Sequence, residues 1–420
     1  MGSICAKRAS DPVATASVAP DSPATTLIKG GNGDALQGKE GCTDSLTCPS
    51  SKKETFRDRR LSISQQAHPS APGRRLSVYN GSPDSPHPSL QSEQMSTIGS
   101  LTIAGLEPTP SGSSAKINQD RGLAVWPFRG DVNEGLFGVY DGHAKLGHEV
   151  SQYVMETLPG IVKAWMLQTD NPRQVLREAY LEVDKALANH MDASVSGTTA
   201  VTCYLRRNHI WVANAGDSRA MVCRSSKDGC LGIALSVDHK PDTPNELKRI
   251  LAMGGYVTPA GSNGSPARVW HNLRGLAMAR SIGDHAAATV GVIPDPEITE
   301  YDVRFGCLQS CTEHVECEVR KKSRTLTDCL GIVLSQVHDD DVCMVIASDG
   351  VWEFLSNEEV ANLVYRTCVI SKDPQRIVET IVDEASHRWK VEEGDYRDDI
   401  TVVVLMFPWQ SPEMMSIRAT

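Results

Sequence analysis

The chain has 420 residues, with 42 Lys and Arg against 52 Asp and Glu, and a formal net charge of −10. At about 100–200 residues per domain, this length suits two or three domains, or one large domain with tails. The acidic balance argues against general nucleic-acid binding, and no apolar run of about 18 residues is present to form a spanning helix.

The opening MGSICAKRAS lacks the apolar core of a secretion signal. The twelve cysteines are therefore expected to be reduced thiols in a cytoplasmic protein, with nuclear or membrane-associated pools as variants. Residues 1–100 hold 17 Ser, and 11 of the 23 Pro fall before position 111. A segment this poor in apolar periodicity cannot offset its ordering entropy, so 1–95 reads as a disordered Ser/Pro-rich tail. Residues 96–408 read as one ordered domain, and 409–420 as a second tail.

Short β-rich apolar runs predict strands at 136–140, 200–205, 209–214, 220–223, 342–347 and 400–407. Arg206-Arg207-Asn208 suits a hairpin turn between two of them. Apolar residues at 175, 176, 179, 183, 186, 187 and 191 predict a helix over 173–191. Thr243, Pro244 and Glu246 form a capping-box signal for a second helix, which Gly254-Gly255 stops. Ser356 and Glu359 repeat that signal. Asp373-Pro374 opens a further helix with Ile377, Val378, Ile381, Val382 and Ala385 on one face. Hairpin-paired strands with helices clustered between them favour an α+β fold with antiparallel sheets.

Residues 304–337 interrupt this order with Cys307, Cys311, Cys317 and Cys329. Their spacing fits no common zinc pattern well. The segment reads as a solvated surface insert, with a zinc knuckle or translated non-coding sequence as the other readings.

The chemistry concentrates where apolar strands end in aspartate: LFGVYDGH at Asp141, IWVANAGDSR at Asp217 and MVIASDG at Asp349. Asp398-Asp399 reverses the pattern by preceding a strand, and Asn118-Gln119-Asp120 adds an acid ahead of the first predicted strand. Asp-Gly alone is a favoured turn pair. Several such acids can converge on one sheet rim, and hard oxygen ligands with few thiols or imidazoles suit Mg²⁺ or Mn²⁺. Two such ions close together clamp a phosphoryl group. His143, two residues past Asp141, stands where a general acid for a leaving alkoxide belongs; a surface-loop histidine is the plainer reading.

These stretches resemble the metal-dependent protein phosphatases of the protein phosphatase 2C (PPM) family. The match runs through NQD at 118–120, FGVYDGH at 137–143, SGTTA at 196–200, VANAGDSRA at 212–220 and DHKPDTPNELKRI at 238–250. It continues through RVWHNLRGLAMARSIGD at 268–284, GVIPDPEI at 291–298, ASDGVWEFLSNEE at 347–359 and DDITVVVLMF at 398–407. The resemblance implies a four-layer αββα sandwich, two antiparallel β-sheets flanked by helices. It also implies hydrolysis of phosphoserine and phosphothreonine in proteins by a water activated between two metal ions. Under it, Asp141 bridges the ions, the Gly142 carbonyl contacts one, and Asp349 and Asp398 complete the sites. Asp120 holds a metal directly or through water, Asp217 matches the position of a weaker third ion, and His143 protonates the leaving oxygen. Asp284 is assigned a structural part.

Four departures stand out, the mildest being Gln119 where many members carry Glu and plant-like ones often show Asn-Gln-Asp. A basic residue usually lies five positions before Asp120, where this chain has Ala115; the adjacent Lys116 is the candidate phosphate contact, a point charge without the fork of Arg. Ala144 replaces a glycine after His143, and if that position needs φ > 0 the loop is strained by about 1 kcal/mol or more. Glu353 stands where Asp is common. Ala115 and Ala144 favour the alternative reading, a pseudophosphatase that holds phosphoproteins without turnover. A cysteine phosphatase is unsupported, because no cysteine has Arg six residues later.

In the tail, RRLS occurs at 59–62 and 74–77, which makes Ser62 and Ser77 candidate sites for a basophilic kinase. Ser82-Pro83 and Ser85-Pro86 suit proline-directed kinases. Gly2 and Cys5 are candidate lipid acceptors for peripheral membrane attachment, although Ala6 departs from the acceptor pattern. The expected partners are phosphoproteins and those kinases, with no nucleic acid, acting on a monomer.

Overall fold

The computed structural model describes residues 97–304 and 340–407, apart from Asp228 and Asn263. The proposed tail, its Ser62, Ser77, Gly2 and Cys5, and nearly all of the Cys-containing insert lie outside the described residues.

The chain opens with β1 (Ile98–Ile103), β2 (Leu106–Thr109), β3 (Gly112–Ala115), β4 (Asp120–Val125) and β5 (Glu134–His143). Two long helices follow, α1 (Gly147–Met166) and α2 (Pro172–His190). Next come β6 (Gly197–Thr198), β7 (Ala200–Arg206), β8 (His209–Ala215), β9 (Arg219–Ser226) and β10 (Gly229–Ala234). Helix α3 (Pro244–Ala252) leads into a three-stranded unit of β11 (Tyr256–Thr258), β12 (Arg268–His271) and β13 (Arg274–Leu276). The chain returns through β14 (Ile282–Gly283), a 3₁₀ turn (Ala287–Val290), β15 (Glu297–Asp302) and β16 (Asp341–Ala347). It finishes with α4 (Asp349–Trp352), α5 (Asn357–Ile370), α6 (Pro374–Glu392) and β17 (Ile400–Met406).

One sheet has the order β1-β17-β16-β9-β10, and a second has the order β14-β6-β5-β7-β8-β15 with β4 on β5. All their strand pairings are antiparallel. The strands read as near-continuous apolar runs because both faces of each sheet are covered. On β5, Phe137 and Val139 join Val222, Ile346 and Val403 between the sheets. Their neighbours Leu136 and Tyr140 face Val154, Leu176 and Val183 of α1 and α2. On the other sheet, Met221, Val345 and Val404 pack under Val364 of α5 and Ile377 and Ile381 of α6. Each fully buried Val, Leu or Ile contributes about 1.5–3 kcal/mol, so two sheets with both faces buried make a stiff frame. The layers are helix, sheet, sheet, helix, which is the expected α+β sandwich.

Two local expectations need correction. Thr243 flanks α3 but makes no side-chain cap; its hydroxyl donates to the Lys240 carbonyl at 2.8 Å. Glu246 does not complete a box, because Arg280 and Arg249 hold its carboxylate. A salt bridge beats a cap here because it is charge-assisted at both ends. Asp120 does not precede the first strand: three strands come before it, and it begins β4. The box at Ser356 and Glu359 forms as read.

Candidate active site

The frame gathers the strand-end acids at one rim. Asp120 and Asp141 are directly opposite each other on β4 and β5. The Asp141 amide donates to Thr199 Oγ1 at 3.1 Å, and the Thr199 amide donates back to the Asp141 carbonyl at 2.8 Å. Thr199 Oγ1 lies 2.7 Å from Ser218 Oγ, which ties the Asp217 turn to Asp141. Ser348 does the same for the other sheet: its hydroxyl donates to Asp120 Oδ2 at 2.7 Å and accepts from the Thr401 amide at 3.1 Å. Asp349 follows Ser348 directly, and Asp398 lies three residues before Thr401.

Close backbone approach explains two glycines. A Cβ on Gly350 would collide with the Asp399 carbonyl, and one on Gly142 would lie 2.8 Å from the Gln119 carbonyl. These contacts draw the Asp349 turn against Asp398-Asp399, and the Asp141 turn against the strand carrying Asp120.

The electrostatics of the rim are those of crowded like charges. Burial pushes the Asp141 carboxyl well above the carboxylate range, and Asp120, Asp349, Asp398 and Asp217 add to the effect. Asp349 is raised by burial, then by Asp217 and Asp398. Asp120 is pushed up to about 7 by burial and by Asp399. Such a cluster is held against its own repulsion and favours a cation at its centre. Two ammonium groups meet part of that demand. Lys240 Nζ donates to Asp217 Oδ2 at 2.7 Å, and Lys116 Nζ donates to Asp398 Oδ1. Both lysines are held above their usual range: burial opposes their charge, and the adjoining aspartates outweigh it.

The donor set fits a hard divalent cation. It is built of oxygen ligands, and Asp120 Oδ1 and Asp217 Oδ1 are buried without a hydrogen-bond partner. Among the described residues, no three His, Cys, Asp or Glu side chains are already closed to a metal-holding arrangement; the two lysines stand among the carboxylates instead.

All the acids proposed from the sequence, Asp120, Asp141, Asp217, Asp349 and Asp398, thus share one rim. His143 stands beside Asp284 rather than among them, its Nε2 at 2.6 Å from Asp284 Oδ2. Burial disfavours the charged imidazole, but Asp284 outweighs this and raises His143 above its usual value. Ala144 has φ of 64°, the left-handed conformation anticipated for a glycine position. Lys116 contacts Asp398, as above.

Sequence reasoning missed three contributors. Asp399 is buried and accepts from the Gly105 amide at 2.6 Å and the Gln119 amide at 2.8 Å, so it clamps the link between β3 and β4 that carries Lys116 and leads into Asp120. Its only signal was adjacency to Asp398. Lys240 lay in the DHKP stretch without an assigned role. Thr199 was visible only as part of SGTTA.

The fold and this rim define an αββα sandwich with an acidic centre, and comparison with known proteins supplies the family. The protein phosphatase 2C family profile matches residues 112–305 and 332–393. The chain is 30% identical over 319 residues to "Probable protein phosphatase 2C 73" of Arabidopsis thaliana, covering 69% of this chain and 75% of that protein. It is 32% identical over 300 residues to "Probable protein phosphatase 2C 61" of the same plant, covering 69% and 80%. A serine-threonine phosphatase 2C from Toxoplasma gondii shares the fold, with a TM-score of 0.55 at 18% identity, covering 80% of this chain and 99% of that one. The chain belongs to the protein phosphatase 2C family and is a protein phosphatase.

Proposed function

We propose that the protein hydrolyses phosphoserine and phosphothreonine in proteins at this rim, with Mg²⁺ or Mn²⁺ as cofactor. The observation that carries this reading is the convergence of five aspartates whose buried oxygens include two without partners. Asp141, the Gly142 carbonyl, Asp349, Asp398 and Asp120 are assigned to two ions, and Asp217 to a third. Bound there, the ions supply charge neutralisation at the phosphoryl group and activation of water.

The chain's own residues do the rest. Thr199 and Ser348 fix the directions of Asp141 and Asp120 through the hydrogen bonds given above. Asp399 holds the link between β3 and β4 that presents Lys116, the candidate contact for the substrate phosphate. His143 protonates the departing serine or threonine oxygen, which leaves poorly as an alkoxide.

The test is phosphate release from a phosphothreonine peptide by the full chain, with Mn²⁺ or with EDTA. The reading expects turnover with Mn²⁺ that EDTA abolishes. A folded chain that binds the peptide without turnover would replace it with the pseudophosphatase reading, and turnover unaffected by EDTA would remove the metal.

A further inference from the structure

Three of the quoted stretches meet around His143. Its Nε2 lies 2.6 Å from Asp284 Oδ2, and the same oxygen accepts from Ser281 Oγ at 2.7 Å. The Asp284 side chain is 2% exposed. Its backbone sits in the left-handed region at φ 47°, fixed by its amide on the Ser196 carbonyl at 3.0 Å and its carbonyl on the Ala287 amide at 2.7 Å. A non-glycine residue keeps that conformation only where its surroundings hold it, and such strain gathers at functional sites.

Gly197 supplies the space for the pair. It is the register partner of His143 on one side and of Gly283 on the other. A Cβ there would fall on Asp284 Oδ2 and lie 2.8 Å from His143 Nε2. The glycine of SGTTA lets the side chains of His143, on β5, and Asp284, just past β14, meet over its Cα.

The pairing decides which ring nitrogen is left to act. An ionised carboxylate only accepts, so Nε2 is the donor to Asp284. Nδ1 is buried and has no hydrogen-bond partner. We propose that Asp284 is a positioning residue that holds Nε2–H of His143 and leaves Nδ1 as the atom that meets the departing serine or threonine oxygen. The assignment rests on the general-acid reading of His143 and replaces the structural part given to Asp284 from sequence. In the step, the phosphorus–oxygen bond breaks and its electron pair stays on the leaving oxygen. That oxygen takes the Nδ1 proton, and the ring, an imidazolium before the step, is left neutral with Nε2–H on Asp284.

Two measurements test it. Nitrogen-15 NMR of the histidine-labelled full chain, with His143→Ala for assignment, reads the ring without reference to activity and needs no further variant. A protonated Nε2 in the wild type, perturbed in Asp284→Asn, is expected; an unprotonated Nε2 overturns the role of Asp284. Kinetics of Asp284→Asn, His143→Ala and the double variant then compare a phosphothreonine peptide with p-nitrophenyl phosphate, whose leaving group needs no proton. Asp284→Asn should lose roughly 10- to 100-fold in peptide kcat, with little change in KM and less than about 3-fold loss on p-nitrophenyl phosphate. The double variant should be no worse than His143→Ala. Equal losses on both substrates for Asp284→Asn, or losses that multiply in the double variant, overturn the proposal. Equal losses for His143→Ala remove the general-acid reading, and with it the leaving-oxygen half of the assignment.

Discussion

Replacing Ala144 with glycine should stabilise the protein. Ala144 follows His143 with φ of 64°, a conformation that costs an L-residue about 1–2 kcal/mol. Its methyl group is exposed, so no packing is lost. The bond from Gln119 Nε2, at 2.7 Å, goes to the Ala144 carbonyl and survives the change. Against the relief stands the extra freedom glycine gives the unfolded chain, about 0.4–1 kcal/mol. The balance is a net gain of about 1 kcal/mol, or a rise in Tm of about 2 °C for a domain of this size. Thermal unfolding of the full chain in EDTA reads the fold without contributions from bound metal. A lowered Tm in Ala144→Gly would refute the reasoning, because it would mean the left-handed turn is not strained by its side chain.

Two further predictions concern pH. Asp120, Asp141 and Asp349 are all raised, chiefly by burial. Carboxyls raised on folding stabilise the fold while protonated, and this contribution is lost as pH rises through the folded value, about 7 for Asp120. Metal-free protein should therefore melt higher at pH 6 than at pH 8, with Mn²⁺ raising Tm more at pH 8; thermal unfolding at both pH values, with EDTA or Mn²⁺, checks this. Glu246 behaves oppositely: burial works to raise it, but hydrogen bonds from Arg280 and Arg249 hold it at about 2. Its contribution is present above about 4.5 and is lost as pH falls towards about 2. Glu246→Gln should cost about 3 kcal/mol at pH 7 by leaving two arginines short of a counter-charge, and acid titration should show it converging with the wild type at low pH.

Much of the sandwich was legible because buried strands announce themselves. The runs at 136–140, 200–205 and 400–407 are apolar on both faces; the structure extends the first two by a few residues and ends the third one residue earlier. Helix α1 was not assigned: no side chain caps it, and Pro159 sits inside it, so the usual start signal is missing and a breaker is present. The short strands β11 to β13 carry too few residues for a period to show. At the site, the acids were visible because each ends or begins an apolar strand. The contacts of Asp399, Lys240 and Asp284 were not, because their partners lie far away in sequence. Asp399 reaches Gly105 and Gln119, Lys240 reaches Asp217, and Asp284 reaches His143. The capping box at Thr243 was misread for the same reason, since Arg280 is invisible from the local pattern.

The most direct test of the acidic rim as a metal centre is a Mn²⁺ titration of the full chain, followed by the electron paramagnetic resonance of free Mn²⁺, on wild type and Asp141→Asn. The account predicts at least two ions bound by the wild type and a loss of affinity for both in the variant, since Asp141 stands between the acids of the two sheets. Equal binding by the two proteins would contradict it.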